Sequence, residues 1–131
     1  EEAGTASEVT AIHTRPKPRS EFVAAVSRSH FDAATGAFLK RLGESSLLRS
    51  GSAIKFCRVA EGAADIYPRL APTSEWDVAA GHALLAAAGG VVTDMDGSPL
   101  SYRLAAESLR IPGFIAWGDP KMALGSKFGA A

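Results

Sequence analysis

The sequence predicts an α/β layered domain, a mixed β-sheet flanked by helices, and three observations carry that prediction. Short β-branched or apolar runs alternate along the chain with segments of helical period, the order expected of layered α/β folds. Residues 76–88 are apolar at almost every position and stop at Gly89-Gly90, which makes this the firmest helix in the chain. Residues 91–95 run into Asp96-Gly97, a hairpin signal that adds an antiparallel part to the sheet.

The elements follow in order. Residues 8–14 are short and β-branched and read as a strand, interrupted by Arg15-Pro16-Lys17-Pro18, because proline removes a ladder donor. Residues 22–27 form a compact apolar run with two valines, a buried strand. Phe31, Ala34, Phe38, Leu39 and Leu42 keep helical spacing up to Gly43, which suits a glycine C-cap. Leu47 and Leu48 suggest a short strand, and Ser52 is placed to cap a helix running to Ala60, with Gly62 ending it. Residues 64–67 read as a strand closed by Pro68-Arg69; Ser74 and Asp77 have the spacing of a capping box at the start of the 76–88 helix. Residues 100–102 would return the hairpin, 114–117 form a last strand, and the tail after Asp119 shows little pattern and is expected to be mobile. No internal repeat or linker divides residues 1–131, so one domain is expected.

Composition narrows the function only by exclusion. Fourteen Lys and Arg offset fourteen Asp and Glu, so the long-range positive field of a general nucleic-acid binder is absent and any anion binding must be local. No apolar run approaches the roughly 20 residues of a membrane span. The single Cys57 cannot form an internal disulfide, which suits a reducing compartment. The default location is cytoplasmic, with membrane association as the alternative. The chain opens at Glu1 without a methionine, which suggests a fragment or a processed chain.

Several residues could carry chemistry, each beside a plain structural explanation. Asp77 in the first turn of its helix suits the positive end of the helix dipole, and equally suits a hard-cation ligand, since Mg²⁺ is held by one or two carboxylates plus phosphate oxygens. Gly51-Ser52-Ala53-Ile54-Lys55 is a glycine-serine turn into a helix with a lysine in the first turn, a place where phosphate can be bound, though not a P-loop. His30 follows a buried strand, where α/β sheets tend to place ligands, and Arg69 lies just past Tyr67-Pro68. For both, an ordinary solvated residue is the alternative. Asp94-Met95-Asp96-Gly97 is explained by a hairpin turn rather than a metal loop. His82 reads as a packed residue, and Cys57 as core.

Taken together, Gly51-Ser52-Ala53-Ile54-Lys55-Phe56-Cys57, Ala60-Glu61-Gly62 through Asp65-Ile66-Tyr67-Pro68-Arg69, and Trp76-Asp77-Val78-Ala79-Ala80-Gly81-His82 closely resemble bacterial 3'(2'),5'-bisphosphate nucleotidases of the inositol monophosphatase superfamily. Ser27-Arg28-Ser29-His30 and Ala88-Gly89-Gly90 fall in register with the same pattern. The resemblance implies the C-terminal, substrate-binding half of that fold, and Mg²⁺-dependent removal of the 3'-phosphate from 3'-phosphoadenosine 5'-phosphate, with lithium inhibition. It implies that Asp77 is a metal ligand and that His30, Gly51, Ser52, Lys55 and Arg69 bind the nucleotide or its phosphates.

Glu1-Glu2 could look like a paired-carboxylate site, but no partner carboxylates follow nearby, and neither the family's Glu-Glu metal motif nor its Asp-Pro-x-Asp-Gly-Thr/Ser motif is identified in this sequence. The water-activating apparatus is therefore expected in a missing N-terminal half of the same protein. No residue of this chain is assigned a catalytic role, and the chain alone is expected to be inactive. The alternatives are an inositol or sugar phosphate phosphatase, and a binding domain that senses the nucleotide without cleaving it.

Overall fold

The structure is a computed structural model and describes residues 8–28, 31–43, 45–51, 54–100, 102 and 110–125. The chain order is β1 (Phe22–Ser27), α1 (Ala33–Leu42), β2 (Ser45–Ser50), α2 (Ile54–Ala60), β3 (Ile66–Arg69), β4 (Thr73–Ser74), α3 (Glu75–Ala87), β5 (Val91–Thr93), β6 (Arg110–Ile111), β7 (Phe114–Trp117) and α4 (Pro120–Gly125). Five strands form one sheet in the order β2-β1-β3-β7-β5, and β4 pairs with β6 as a separate ribbon. β1 runs parallel to β2 and β3, while β7 is antiparallel to both β3 and β5. The mixed sheet expected from the sequence is present.

Strand alternation sorts the core into two layers. Phe22, Ala24, Val26, Ile66, Ile115 and Trp117 pack with Phe38 and Leu39 of α1 and Met122 of α4. Ala25, Tyr67, Phe114 and Ala116 point the other way and pack with Phe56 and Val59 of α2 and Val78 and Leu85 of α3. The sheet is thus covered on both faces by helices. Gly43 ends α1 with φ of 132°, its N–H bonded to the Leu39 carbonyl, a backbone angle that favours glycine.

Several sequence expectations need correction. Residues 8–14 form no strand and are largely exposed, with Val9 93% exposed; among the described residues no strand pairs with them, and a β-branched run is a strand only when it has a partner. β2 spans Ser45–Ser50 rather than two leucines, because its whole length is in parallel register with β1. β3 runs through Pro68 to Arg69 instead of ending before them. The proline is tolerated because the register with β1 is at Ala24↔Ile66, so the strand has moved beyond that partner by Pro68.

Ser74 occupies the N-cap position of α3, yet its side chain makes no capping bond. The capping-box reading therefore fails; Asp77 instead sits 3.4 Å from the Thr73 hydroxyl. The hairpin turn forms around the Asp94 carboxylate, which accepts from the amides of Asp96 and Ser98; its return includes the bridge Thr93↔Pro99 and a bond from the Leu100 amide to the Val92 carbonyl at 3.0 Å, and Ser101 of the expected 100–102 strand lies outside the described residues.

Residues 120–125 are helical rather than patternless. Asp119 accepts the Lys121 amide, and Met122 is buried against the core layer of α1. Cys57 is exposed, not core, since α2 turns Lys55, Phe56, Val59 and Ala60 inward and leaves position 57 outside. His82 is half-buried with its Nδ1 2.8 Å from the Tyr102 hydroxyl, as expected of a packed residue.

Candidate functional site

The carboxyl ends of β1 and β3 open into a cleft of about 650 Å³, lined by Val26, Phe31, Asp32, Lys55, Tyr67 and Arg69, among others. Open α/β sheets place ligands at the carboxyl ends of their strands. Here the chain delivers Phe31 and Asp32 from the loop after β1, Lys55 from the start of α2, and Tyr67 with Arg69 from the end of β3.

Lys55 is the least expected resident, because its side chain goes inward and is only 5% exposed. Its ammonium lies 5.2 Å from the centre of the Tyr67 ring and 3.4 Å from the Ser50 carbonyl. Among the described residues it has no carboxylate partner. Burial, followed by the nearby Arg69 charge, pulls the Lys55 ammonium below its ordinary pKa. Arg69 donates from one terminal nitrogen to the Pro72 carbonyl at 3.2 Å, while its Nε is buried with no hydrogen-bond partner among the described residues. Buried donors left unmet are uncommon and point to a group that the protein itself does not provide.

The remaining walls fix the polarity of the cleft. Asp32 caps α1 by accepting the Thr35 amide at 2.8 Å; bonds from Thr35 and the charge of Arg69 hold its carboxyl below the usual range. Burial pushes the Tyr67 phenol up to about 12, so it stays neutral at ordinary pH. Behind this wall Phe56 meets Tyr67 edge-on at 5.1 Å and stacks on Phe114 at 5.4 Å. Phe56 in turn lies under Gly81, where an added Cβ would stand 2.3 Å from the ring. The glycine is needed for α3 to seat on α2.

Of the residues singled out in the sequence, Lys55 and Arg69 meet in the cleft. Gly51 lies at the end of β2, its carbonyl accepting the Ile54 amide at 3.2 Å, with open space where a Cβ would be. Asp77 is exposed on the first turn of α3 and near enough to Tyr67 for its charge to bear on the phenol. His30 and Ser52 lie outside the described residues. Reading by motif missed Phe31 and Asp32 as cleft residues, although they directly follow Ser27-Arg28-Ser29-His30. It also missed Tyr67, whose place beside Pro68-Arg69 was the available signal.

Among the described residues no three His, Cys, Asp or Glu side chains cluster closely enough to hold a metal ion. Asp77 still fits one position in a Mg²⁺ site. Its carboxylate is exposed, and its contact with the Thr73 hydroxyl at 3.4 Å is long enough to leave the oxygens available. No helix of the described residues is long and apolar enough to cross a membrane.

Comparison with known proteins points one way. The sequence pattern of the Inositol monophosphatase family matches residues 3–116. The chain is 46% identical over 114 residues to the 3'(2'),5'-bisphosphate nucleotidase CysQ of Escherichia coli strain K12, covering 87% of this chain and 44% of that protein. The crystal structure of CysQ from Bacteroides thetaiotaomicron, described as a bacterial member of the inositol monophosphatase family, aligns with a TM-score of 0.66 at 44% identity, covering 79% of this chain and 40% of that one. An inositol monophosphatase from Anabaena aligns with a TM-score of 0.63 at 27% identity, covering 86% of this chain and 45% of its own. The chain thus spans less than half the length of these relatives.

Proposed function

From the premise that the chain belongs to the inositol monophosphatase family, we propose that it is the nucleotide-binding half of a Mg²⁺-dependent phosphatase that converts 3'-phosphoadenosine 5'-phosphate to AMP and phosphate. The observation that carries the reading is the pair of cationic side chains, Lys55 and Arg69, which line one cleft: the Lys55 ammonium is buried against the Ser50 carbonyl at 3.4 Å with no carboxylate partner among the described residues, and the Arg69 Nε is buried with no hydrogen-bond partner among them. A substrate bearing two phosphates supplies the missing acceptors. The similarity to CysQ nucleotidases supports a nucleotide over an inositol phosphate.

In this reading Lys55 and Arg69 bind and orient the phosphates, Arg69 through its planar fork and Lys55 as a point charge. Their contribution is mainly positional, holding the reacting phosphoryl group where it can be attacked. The neutral Tyr67 phenol forms the wall behind them without adding charge. His30, Gly51 and Ser52 are assigned to the same phosphate contacts by their place in the motifs. Asp77 would hold a Mg²⁺ ion, which when bound supplies Lewis-acid stabilisation of the phosphoryl oxygens and a lowered pKa for the attacking water.

The other half of the protein would provide the rest of that metal site. The surface of α3 and α2 is consistent with a further body packing there, since Trp76, Ile54 and Leu84 are 69%, 50% and 37% exposed, and a helix apolar on all sides is normally buried.

The test is phosphate release by the full-length protein from 3'-phosphoadenosine 5'-phosphate, inositol 1-phosphate and fructose 1,6-bisphosphate, with the present chain assayed beside it. The nucleotide is expected to have the highest kcat/KM, the chain alone to be inactive, and Asp77→Asn to raise the Mg²⁺ concentration needed for half-maximal rate. A higher kcat/KM on inositol or sugar phosphates would sink the nucleotidase reading, and turnover by the pure chain would sink the division of labour.

A further inference from the structure

The cleft is lined by apolar as well as cationic side chains. Phe31 lines it together with Val26, Leu70 and Ala71, and this large apolar residue is 38% exposed. The ring is not loose. The Arg49 guanidinium sits 5.6 Å from its centre, and Gly36 on α1 comes close to its edge, an added Cβ there standing 3.6 Å from the ring carbons. A fixed, partly exposed aromatic face with apolar neighbours suits a flat ligand that is poor in charge. Lys55 and Arg69, which line the same cleft, suit anions.

We propose that Phe31 is a specificity-determining residue, its ring forming the nucleobase subsite of the cleft, so that the base lies against Phe31 while the phosphates lie against Lys55 and Arg69. The choice of a nucleotide as ligand rests on the function proposed above. The Phe31 subsite adds the reason why a nucleotide would be preferred to a sugar or inositol phosphate, since these share the phosphates and lack the flat π-face. Arg49 acts as a positioning residue, holding the ring through its cation–π contact.

Stacking of a base on an aromatic side chain typically changes affinity by about tenfold or more when the ring is removed. The test compares wild type, Phe31→Ala and Phe31→Trp of the full-length protein, with folding of each checked by thermal melting. Binding of AMP and of ribose 5-phosphate is measured by calorimetry, and KM and kcat by turnover of 3'-phosphoadenosine 5'-phosphate and of abasic ribose 3,5-bisphosphate.

Phe31→Ala is expected to weaken AMP about tenfold and to raise the nucleotide KM by a similar factor with kcat retained. It should leave both abasic ligands unchanged, and Phe31→Trp should restore the nucleotide values. An AMP affinity unmoved by Phe31→Ala, or an equal loss for AMP and ribose 5-phosphate, would overturn the subsite. A protein that turns over neither substrate but whose AMP affinity depends on Phe31 would overturn the nucleotidase reading and leave the base subsite standing.

Discussion

The two ends of the parallel strands treat buried charge in opposite ways. At the amino end, Asp65 is 1% exposed and fully answered: Arg15 donates from Nε and a terminal nitrogen to its two oxygens at 2.7 Å each, and the Val23 amide adds a third bond at 2.7 Å. At the carboxyl end, Lys55 and Arg69 are drawn inward with no carboxylate partner among the described residues. A satisfied charge network fastens a fold, whereas an unsatisfied one is held in place by its surroundings and is relieved by a ligand. One end of the sheet closes its buried charge on itself, and the other leaves a buried donor open.

The largest effect is expected at the stabilising end. Arg15→Met leaves the Asp65 carboxylate buried with only the Val23 amide, and breaking a buried pair on one side typically costs 3–5 kcal/mol. Because the Arg15 side chain is 39% exposed, about 3 kcal/mol is expected, read as a lowered midpoint in urea, with nucleotide affinity of the folded protein unchanged. A fall in affinity at equal stability would erase the contrast between the two ends.

Lys55→Met should do the reverse. Replacing an unpaired buried ammonium with an apolar side chain of similar length should leave the free protein at least as stable, and nucleotide affinity should fall about 10- to 100-fold with the lost charge-assisted contact. Unfolding and calorimetry on the same samples separate the two readouts. A destabilised Lys55→Met protein would show that the lysine is structural after all.

The smallest effect is in the pH dependence, and its sign follows from the direction of the shift. The folded-state pKa of Lys55 is lowered from the ordinary 10.5, so between those values the unfolded chain keeps a proton that the folded chain has released. Stability contributed by this group therefore rises with pH through that window. Phosphate binding by Lys55 as proposed above requires the charged form, so affinity should fall with pH across the same range in wild type and stay flatter in Lys55→Met, as titrations at several pH values would show. Parallel slopes for the two proteins would assign the dependence to another group.

The fold was more legible in the sequence than the cleft was. β1 and β7 occur within the bounds that their apolar runs predicted, and α3 within one residue at each end, because these patterns are local. What failed depended on partners distant in sequence. Pro68 belongs to β3 because β7 pairs along it, and Met122 is ordered because α1 and the sheet supply a surface for it. Residues 8–14 had the pattern of a strand but have no strand to pair with among the described residues. In the site, motifs located Lys55 and Arg69, but no periodicity predicts that a lysine faces inward, or that Phe31 faces the same space from another loop.

Gly81 fixes how two helices of the molecule meet. Because Phe56 presses into the gap left by its missing methyl, α3, which carries Asp77 one turn earlier, packs closely on α2, which carries Lys55 next to Phe56. The Asp77 carboxylate and the Lys55 ammonium therefore stand on helices seated against each other; in the function proposed above, the glycine is the pivot of a calliper whose jaws are the cation-binding arm and the anion-binding arm, set to one span. A methyl group at position 81 would alter that span without touching either charged group.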